Sequence, residues 1–136
     1  MIGILLISHE GIGREMMEAA ELILGKTDII QNISIKVKDQ MEEMLDIVEK
    51  RARELLKECN SIIIMTDMWG ASPANIAVKS AKRLKEDGMN VGLVTGFNLP
   101  MLITAIAYQR EMNLANLIKK VVEVGKMSHL DVTKMI

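Results

Sequence analysis

Two kinds of apolar patterning alternate along this chain. Ile2–Ile7 is an unbroken run of apolar and small residues, Ser61–Thr66 is continuously apolar and β-branched, and Val91–Thr95 is a shorter run of the same kind. Short runs of this sort, bounded by turn formers, mark strands buried on both faces. Ile29–Val37 carries β-branched residues in partial alternation and predicts a second strand nearer an edge. Between the runs, apolar residues recur at helical spacing. Met16, Met17, Ala20, Ile23 and Leu24 do so within Gly13–Leu24, which Gly25 closes. After Asp39, a candidate N-cap, the stripe is Met41, Met44, Leu45, Val48, Ala52, Leu55, Leu56 and Cys59. Pro73 fits the first turn of a helix reaching Asp87 and stopped by Gly88, and Pro100 opens a short helix to Tyr108. A last helix is predicted from Asn113 to Lys126.

The order βαβαβαβαα predicts an α/β fold: a doubly wound, mostly parallel four-stranded sheet with helices on both faces. The tail, His129 to Ile136, offers a further edge strand. A length of 136 residues suits one domain spanning 1–136, without repeats, linkers or low-complexity tracts.

Composition acts mainly by exclusion. Net charge is −1 with no basic block, and aromatics are 2%, which removes both the electrostatic footprint and the stacking platform of a nucleic-acid binder. The single cysteine, Cys59, rules out an internal disulfide or a CxxC metal or redox site, and its helical spacing reads as core packing. Methionine is abundant at 12, mostly on apolar helix faces where it fills gaps. No Lys or Arg precedes the first apolar run, and no run approaches the ~20 residues of a membrane span. The expectation is a cytoplasmic protein.

The candidate chemistry begins at His9, which follows the first run directly, ahead of Gly11 and Gly13. Strand C-termini are where open α/β sheets collect their ligands, and histidine is the side chain whose proton is balanced near neutral pH. Asp67 ends the third strand as His9 ends the first. In a sheet ordered 2-1-3-4 these strands are neighbours, so the side chains can meet. A carboxylate on one ring nitrogen fixes the tautomer and leaves the other as a nucleophile. The Gly70-Ala71-Ser72 turn, the helix start at Pro73, the Ser72 hydroxyl and the Gly11 turn are candidate phosphate donors. With no Arg or Lys on the phosphate, the group stays transferable, which suits a phosphohistidine. The bland alternatives stand beside this: a surface histidine, and a helix cap and turn former at Ser72 and Asp67.

Other motifs fail on details. Gly11-Ile12-Gly13 would need a third glycine where Met16 stands, and Gly25-Lys26-Thr27 follows a helix instead of opening one. Gly70-Ala71-Ser72-Pro73-Ala74 approximates a nucleophile elbow, but the residue after the serine must donate its N–H to an oxyanion and Pro73 has none. An aspartyl-phosphate site at Asp67 lacks the further carboxylates for Mg²⁺, with only Glu10 near.

Three blocks then carry a resemblance: Ile4-Leu-Leu-Ile-Ser-His9-Glu-Gly11, Thr66-Asp67-Met-Trp69-Gly70-Ala-Ser72-Pro73-Ala-Asn75 and Thr95-Gly-Phe-Asn98-Leu-Pro100-Met101-Leu. In order and spacing, over essentially the whole chain, they resemble the IIA component of the mannose-class (mannose/fructose/sorbose) phosphoenolpyruvate-dependent sugar phosphotransferase system. The resemblance implies a cytoplasmic phosphotransferase component whose His9 takes a phosphoryl group from the phosphocarrier HPr and passes it to a IIB component for sugar uptake. It implies Asp67 as the histidine-orienting aspartate and Ser72 as a phosphate contact, with no metal or organic cofactor. It also implies a homodimer exchanging a C-terminal antiparallel strand, here Leu130–Met135, and contact with the membrane only through permease subunits.

Glu10 departs from the glycine of many sugar-transport members and would repel added negative charge unless solvent screens it. The His-Glu-Gly-Ile-Gly form looks more like stand-alone members found beside regulatory systems. The alternative reading is therefore a regulatory phosphocarrier whose phosphorylation state controls a partner protein. Met68, Trp69, Leu99 and Met101 lie at the same sheet end and are candidate partner-docking residues, with packing on a neighbouring helix as the other reading of Trp69. His129 reads as a surface residue.

Overall fold

The computed structural model describes residues 1–27 and 29–136. Four strands, β1 (Ile2–His9), β2 (Ile30–Ile35), β3 (Ser61–Thr66) and β4 (Val91–Thr95), form one sheet in the order β2-β1-β3-β4. Every pairing is parallel. Helices α2 (Met41–Leu55) and α3 (Ser72–Glu86) cover one face, and α1 (Ile12–Leu24), α4 (Leu99–Tyr108) and α5 (Leu114–Met127) cover the other. The doubly wound fold in the order 2-1-3-4 is thus the one the pattern predicts.

The central strands are apolar throughout because both of their faces are covered. On β1, Leu5 and Ile7 join the core under α2 and α3, while Ile4 and Leu6 join the core under α1, α4 and α5. On β3, Ile62 and Ile64 face the first core, Ile63 and Met65 the second, and all four are fully buried. Burying a side chain of this size stabilises by about 1.5–3 kcal/mol. The edge strand β2 gives only Ile33 and Ile35 to the buried core, and its Gln31, Asn32 and Ser34 stay half-buried.

Several boundaries differ from the sequence expectation, each for a local reason. β1 runs on to His9, because pairing with β2 continues to the register His9–Ile35. β2 stops at Ile35, and Val37 stands fully exposed beyond it. Asp39 does not cap α2. Its Oδ2 accepts from the Lys36 backbone N–H at 2.6 Å and closes the turn after β2, while Gln40 occupies the N-cap without a side-chain bond. Ile23 and Leu24 are exposed at the end of α1, which buries only Gly13 and Ala20 fully. Cys59 lies past the end of α2 yet is buried as expected. Its thiol donates to the Leu55 carbonyl at 3.0 Å, and burial pushes the thiol pKa up. In the single chain, the tail pairs with no strand of its own sheet. It forms a short 3₁₀ turn at Thr133–Met135 with Leu130, Val132, Met135 and Ile136 exposed.

Candidate functional site

The site forms where β1 and β3 end side by side. Ile7 and Thr66 are paired in register, so Asp67 lies one residue beyond the ladder on β3 and His9 two beyond on β1. One carboxylate oxygen, Asp67 Oδ2, accepts twice from His9: from its backbone N–H at 2.9 Å and from Nδ1 at 2.6 Å. An ionised carboxylate can only accept, so Nδ1 is the ring nitrogen that carries a proton here, and in the neutral ring Nε2 keeps its lone pair. The double contact holds the ring against its own backbone and leaves little freedom about χ1 and χ2. Asp67 is sunk to 10% side-chain exposure, whereas the His9 ring is 48% exposed. The carboxylate is therefore shielded and the ring is reachable.

Ser8 supports this from beneath. Its buried hydroxyl donates to the His9 carbonyl at 2.9 Å and accepts from the Gly13 N–H at 2.8 Å, tying the end of β1 to the start of α1. A Cβ on Gly13 would stand 3.1 Å from that hydroxyl, so a side chain there would crowd the contact unless Ser8 gave way by a few tenths of an ångström. Sequence reasoning missed Ser8, although a small polar residue between the apolar run and His9 was a visible signal.

His9 and Ser72 line one cleft of about 560 Å³, with Ile76 from α3 and Met41 from α2 as apolar walls. Gly70 and Ala71 lead into Ser72 on exposed or half-exposed turn backbone, and Gly70 takes φ +84°, a conformation that a Cβ disfavours. Gly11 also takes a positive φ, but it lines a separate groove along α1 with Glu15 and Met16. The structure thus gathers His9, Asp67 and Ser72, places Gly70 and Ala71 in the approach, and sets Gly11 to one side.

The same cleft holds residues that the sequence reading passed over: Lys36 and Asp39, from the turn after β2. The sequence reading places no Arg or Lys on the phosphate; the structure brings one basic side chain into the cleft, with Lys36 Nζ 3.6 Å from Glu10 Oε1. The available signal was the strand order itself. In a 2-1-3-4 sheet the end of β2 lies beside the end of β1, and Lys36 follows Ile35, the residue paired with His9.

The four docking candidates divide. Met68 and Trp69 are exposed at 57% and 69%. Leu99 is half-buried against the core. Met101 is 4% exposed and is a correction: α4 turns it inward onto α5, where a Cβ on Gly125 would stand 2.6 Å from its sulfur. It packs the core and presents nothing to a partner. His129 is exposed, as expected. Among the described residues, no group of His, Cys, Asp and Glu is arranged to hold a metal ion. Nor is any of their helices long and apolar enough to cross a membrane.

A family model described as PTS system fructose IIA component matches residues 3–122. Among solved structures, the PTS IIA protein associated with the fucose utilization operon of Streptococcus pneumoniae is 26% identical. It superposes with a TM-score of 0.83 over 98% of this chain and 94% of its own. The mannose/sorbose-specific IIA subunit of Enterococcus faecalis is 21% identical, with a TM-score of 0.80 over 96% of this chain and 93% of its own. The phosphotransferase system component EIIA of Streptococcus agalactiae, at 19% identity, reaches a TM-score of 0.84 over 98% and 99%. The last two likenesses bear on the fold alone. No curated protein matches the chain.

Proposed function

We propose that this chain, which belongs to the family of PTS system fructose IIA components, is a phosphohistidine carrier that accepts its phosphoryl group from HPr and passes it to a IIB component. That it is a component of a sugar phosphotransferase system follows from the family. The donor, the acceptor and the residue roles are the proposal. The observation that carries it is the double bond pattern at Asp67 Oδ2, which fixes the tautomer and the aim of His9 together.

The step that this geometry serves is a displacement at phosphorus. The Nε2 lone pair attacks the phosphoryl group in line as the phosphorus–nitrogen bond on the donor breaks, and the electron pair returns to the donor nitrogen. The Nδ1 proton stays where it is, and the positive charge that builds on the ring falls beside the Asp67 carboxylate. Phosphoryl transfer asks mainly for positioning and charge stabilisation. Ser72 and the backbone N–H groups of its turn are the candidate donors to the phosphoryl oxygens. Onward transfer is the reverse step to a different acceptor. Exposed Trp69 and Met68 beside the cleft suit docking of those partner proteins.

Incubation with phosphoenolpyruvate, enzyme I and HPr is expected to give a label that is acid-labile and alkali-stable. The His9→Ala variant, folded by circular dichroism, should take none. A folded wild type that stays unlabelled would overturn the proposal.

A further inference from the structure

The ion pair at the rim of the cleft has a bearing on the transferred group. Lys36 is the first residue beyond β2, and its backbone N–H is held by Asp39 Oδ2 at 2.6 Å. The backbone is thus pinned, and the side chain beyond it is largely exposed. The residue before it, Ile35, is the register partner of His9. The cleft is lined by His9 and Ser72, by the carboxylates Glu10 and Asp39, and by Lys36, its single cationic side chain among the described residues. Asp67 adds a third carboxylate beneath the ring.

A phosphoryl group on His9 brings about 1.5 to 2 further negative charges into that setting. Two unit charges 4 Å apart in water interact by about 1 kcal/mol, so the placement of one exposed cation matters. Lys36 now pairs with Glu10, a single charge at 3.6 Å. A doubly charged group at Nε2, in the same cleft, attracts it more strongly.

On the reading of His9 as the phosphoryl acceptor, we infer that Lys36 is a charge-balancing residue that exchanges Glu10 for the phosphoryl group. Glu10, released, turns to solvent; it takes Lys36 back when the group leaves. The pair thereby sets how strongly the carrier holds its phosphoryl group: Lys36 favours the charged form and Glu10 opposes it. No bond to phosphorus forms or breaks at either residue. Glu10 then has a function, since an uncharged residue there would leave Lys36 permanently available.

The test is the equilibrium constant for phosphoryl exchange between HPr and this protein. Lys36→Gln is expected to lower it about two- to fivefold, the range of an exposed ion pair, and Lys36→Arg to restore it. Glu10→Gln is expected to raise it by a similar factor, and the gain should shrink in the Lys36→Gln background. Raising salt from about 0.05 to 0.5 M should erase most of the difference between wild type and Lys36→Gln. Lys57→Gln, exposed past the far end of α2, is the charge control and should leave the constant unchanged. Equal constants for wild type and Lys36→Gln at low salt would overturn the inference while leaving His9 as acceptor. A wild type that takes no label at all removes the phosphocarrier reading, and this inference with it.

Discussion

Helices α1 and α3 begin beside His9, whereas α4 begins farther along the same sheet end, after β4, and α5 follows α4; the two pairs start in different ways. α4 is capped by Asn98, whose Oδ1 accepts from the Met101 N–H at 3.0 Å while its Nδ2 donates to Ser128 Oγ at 2.9 Å. α5 is capped by Asn113, which accepts from the Asn116 N–H at 2.9 Å. The N-cap positions of α1 and α3 are Gly11 and Ala71, which have no side chain able to accept, and neither helix carries a side-chain cap bond there. A good cap is worth about 1 kcal/mol. Helices α4 and α5 each satisfy one of their own first N–H groups with a side chain, whereas α2, whose Met41 also lines the cleft, has no such cap at Gln40. α1 and α3 have none either, and the start of α3 is open toward the cleft that holds His9 and Ser72. α1 is partly compensated by Ser8, which takes the Gly13 N–H from the neighbouring strand. For α3, Pro73 in the first turn removes one N–H that would otherwise need a partner. In the phosphocarrier reading, the remaining donors are kept for an anion that arrives and leaves.

The contrast can be broken at three points. Asp67→Asn should have the largest effect. An amide can present its NH₂ group to the ring and so unfix both tautomer and aim. Phosphoryl transfer is expected to slow about 10- to 100-fold, the loss seen when a functional histidine at a metal site is deprived of its carboxylate partner. Rapid-quench labelling measures the rate, and an unchanged rate would show that the carboxylate does not orient the ring. Asn98→Ala should act on stability alone. Loss of the cap costs about 1 kcal/mol in urea unfolding, and the phosphoryl-transfer rate should stay at the wild-type value. A comparable loss of transfer would mean that α4 belongs to the site. Ala71→Asn gives α3 the cap it lacks and should have the smallest effect, a gain of about 0.5–1 kcal/mol in stability. Its side chain should then compete for the Ala74 N–H, and slower phosphoryl transfer by the more stable variant would sharpen the contrast. Transfer as fast as wild type would show that this N–H is not used.

Much of this was legible along the chain because it rests on local periodicity. The runs that became β1, β3 and β4 are long, bounded and apolar on both faces, and no competing pattern fits them. His9 and Asp67 could be paired from topology, since a 2-1-3-4 order makes their strands neighbours, although 58 residues separate them. Other features were hidden for physical reasons. A lysine after an edge strand has the same local signature as any solvated lysine, so Lys36 acquires meaning only from β1 alongside. Met101 follows a proline in a predicted loop–helix junction, and its rotation onto Gly125 depends on how α4 meets α5. Gln109 is buried and bonds the Ile2 carbonyl through its Nε2 at 3.1 Å, a contact across nearly the whole chain that no local pattern announces.

Sequence alone therefore determined the layers, and with the doubly wound topology the strand order and the meeting of His9 with Asp67, because burial periodicity and turn chemistry are short-range and written in consecutive residues. The blocks around His9, Asp67 and Asn98 carried the family as well. Tertiary structure decided what surrounds the histidine: that one Asp67 oxygen takes both of its N–H groups, that Lys36 and Glu10 face each other over the cleft, and that Met101 turns away from it. These are matters of ångströms between segments distant in sequence, and they are fixed only when the sheet has closed and the helices have packed.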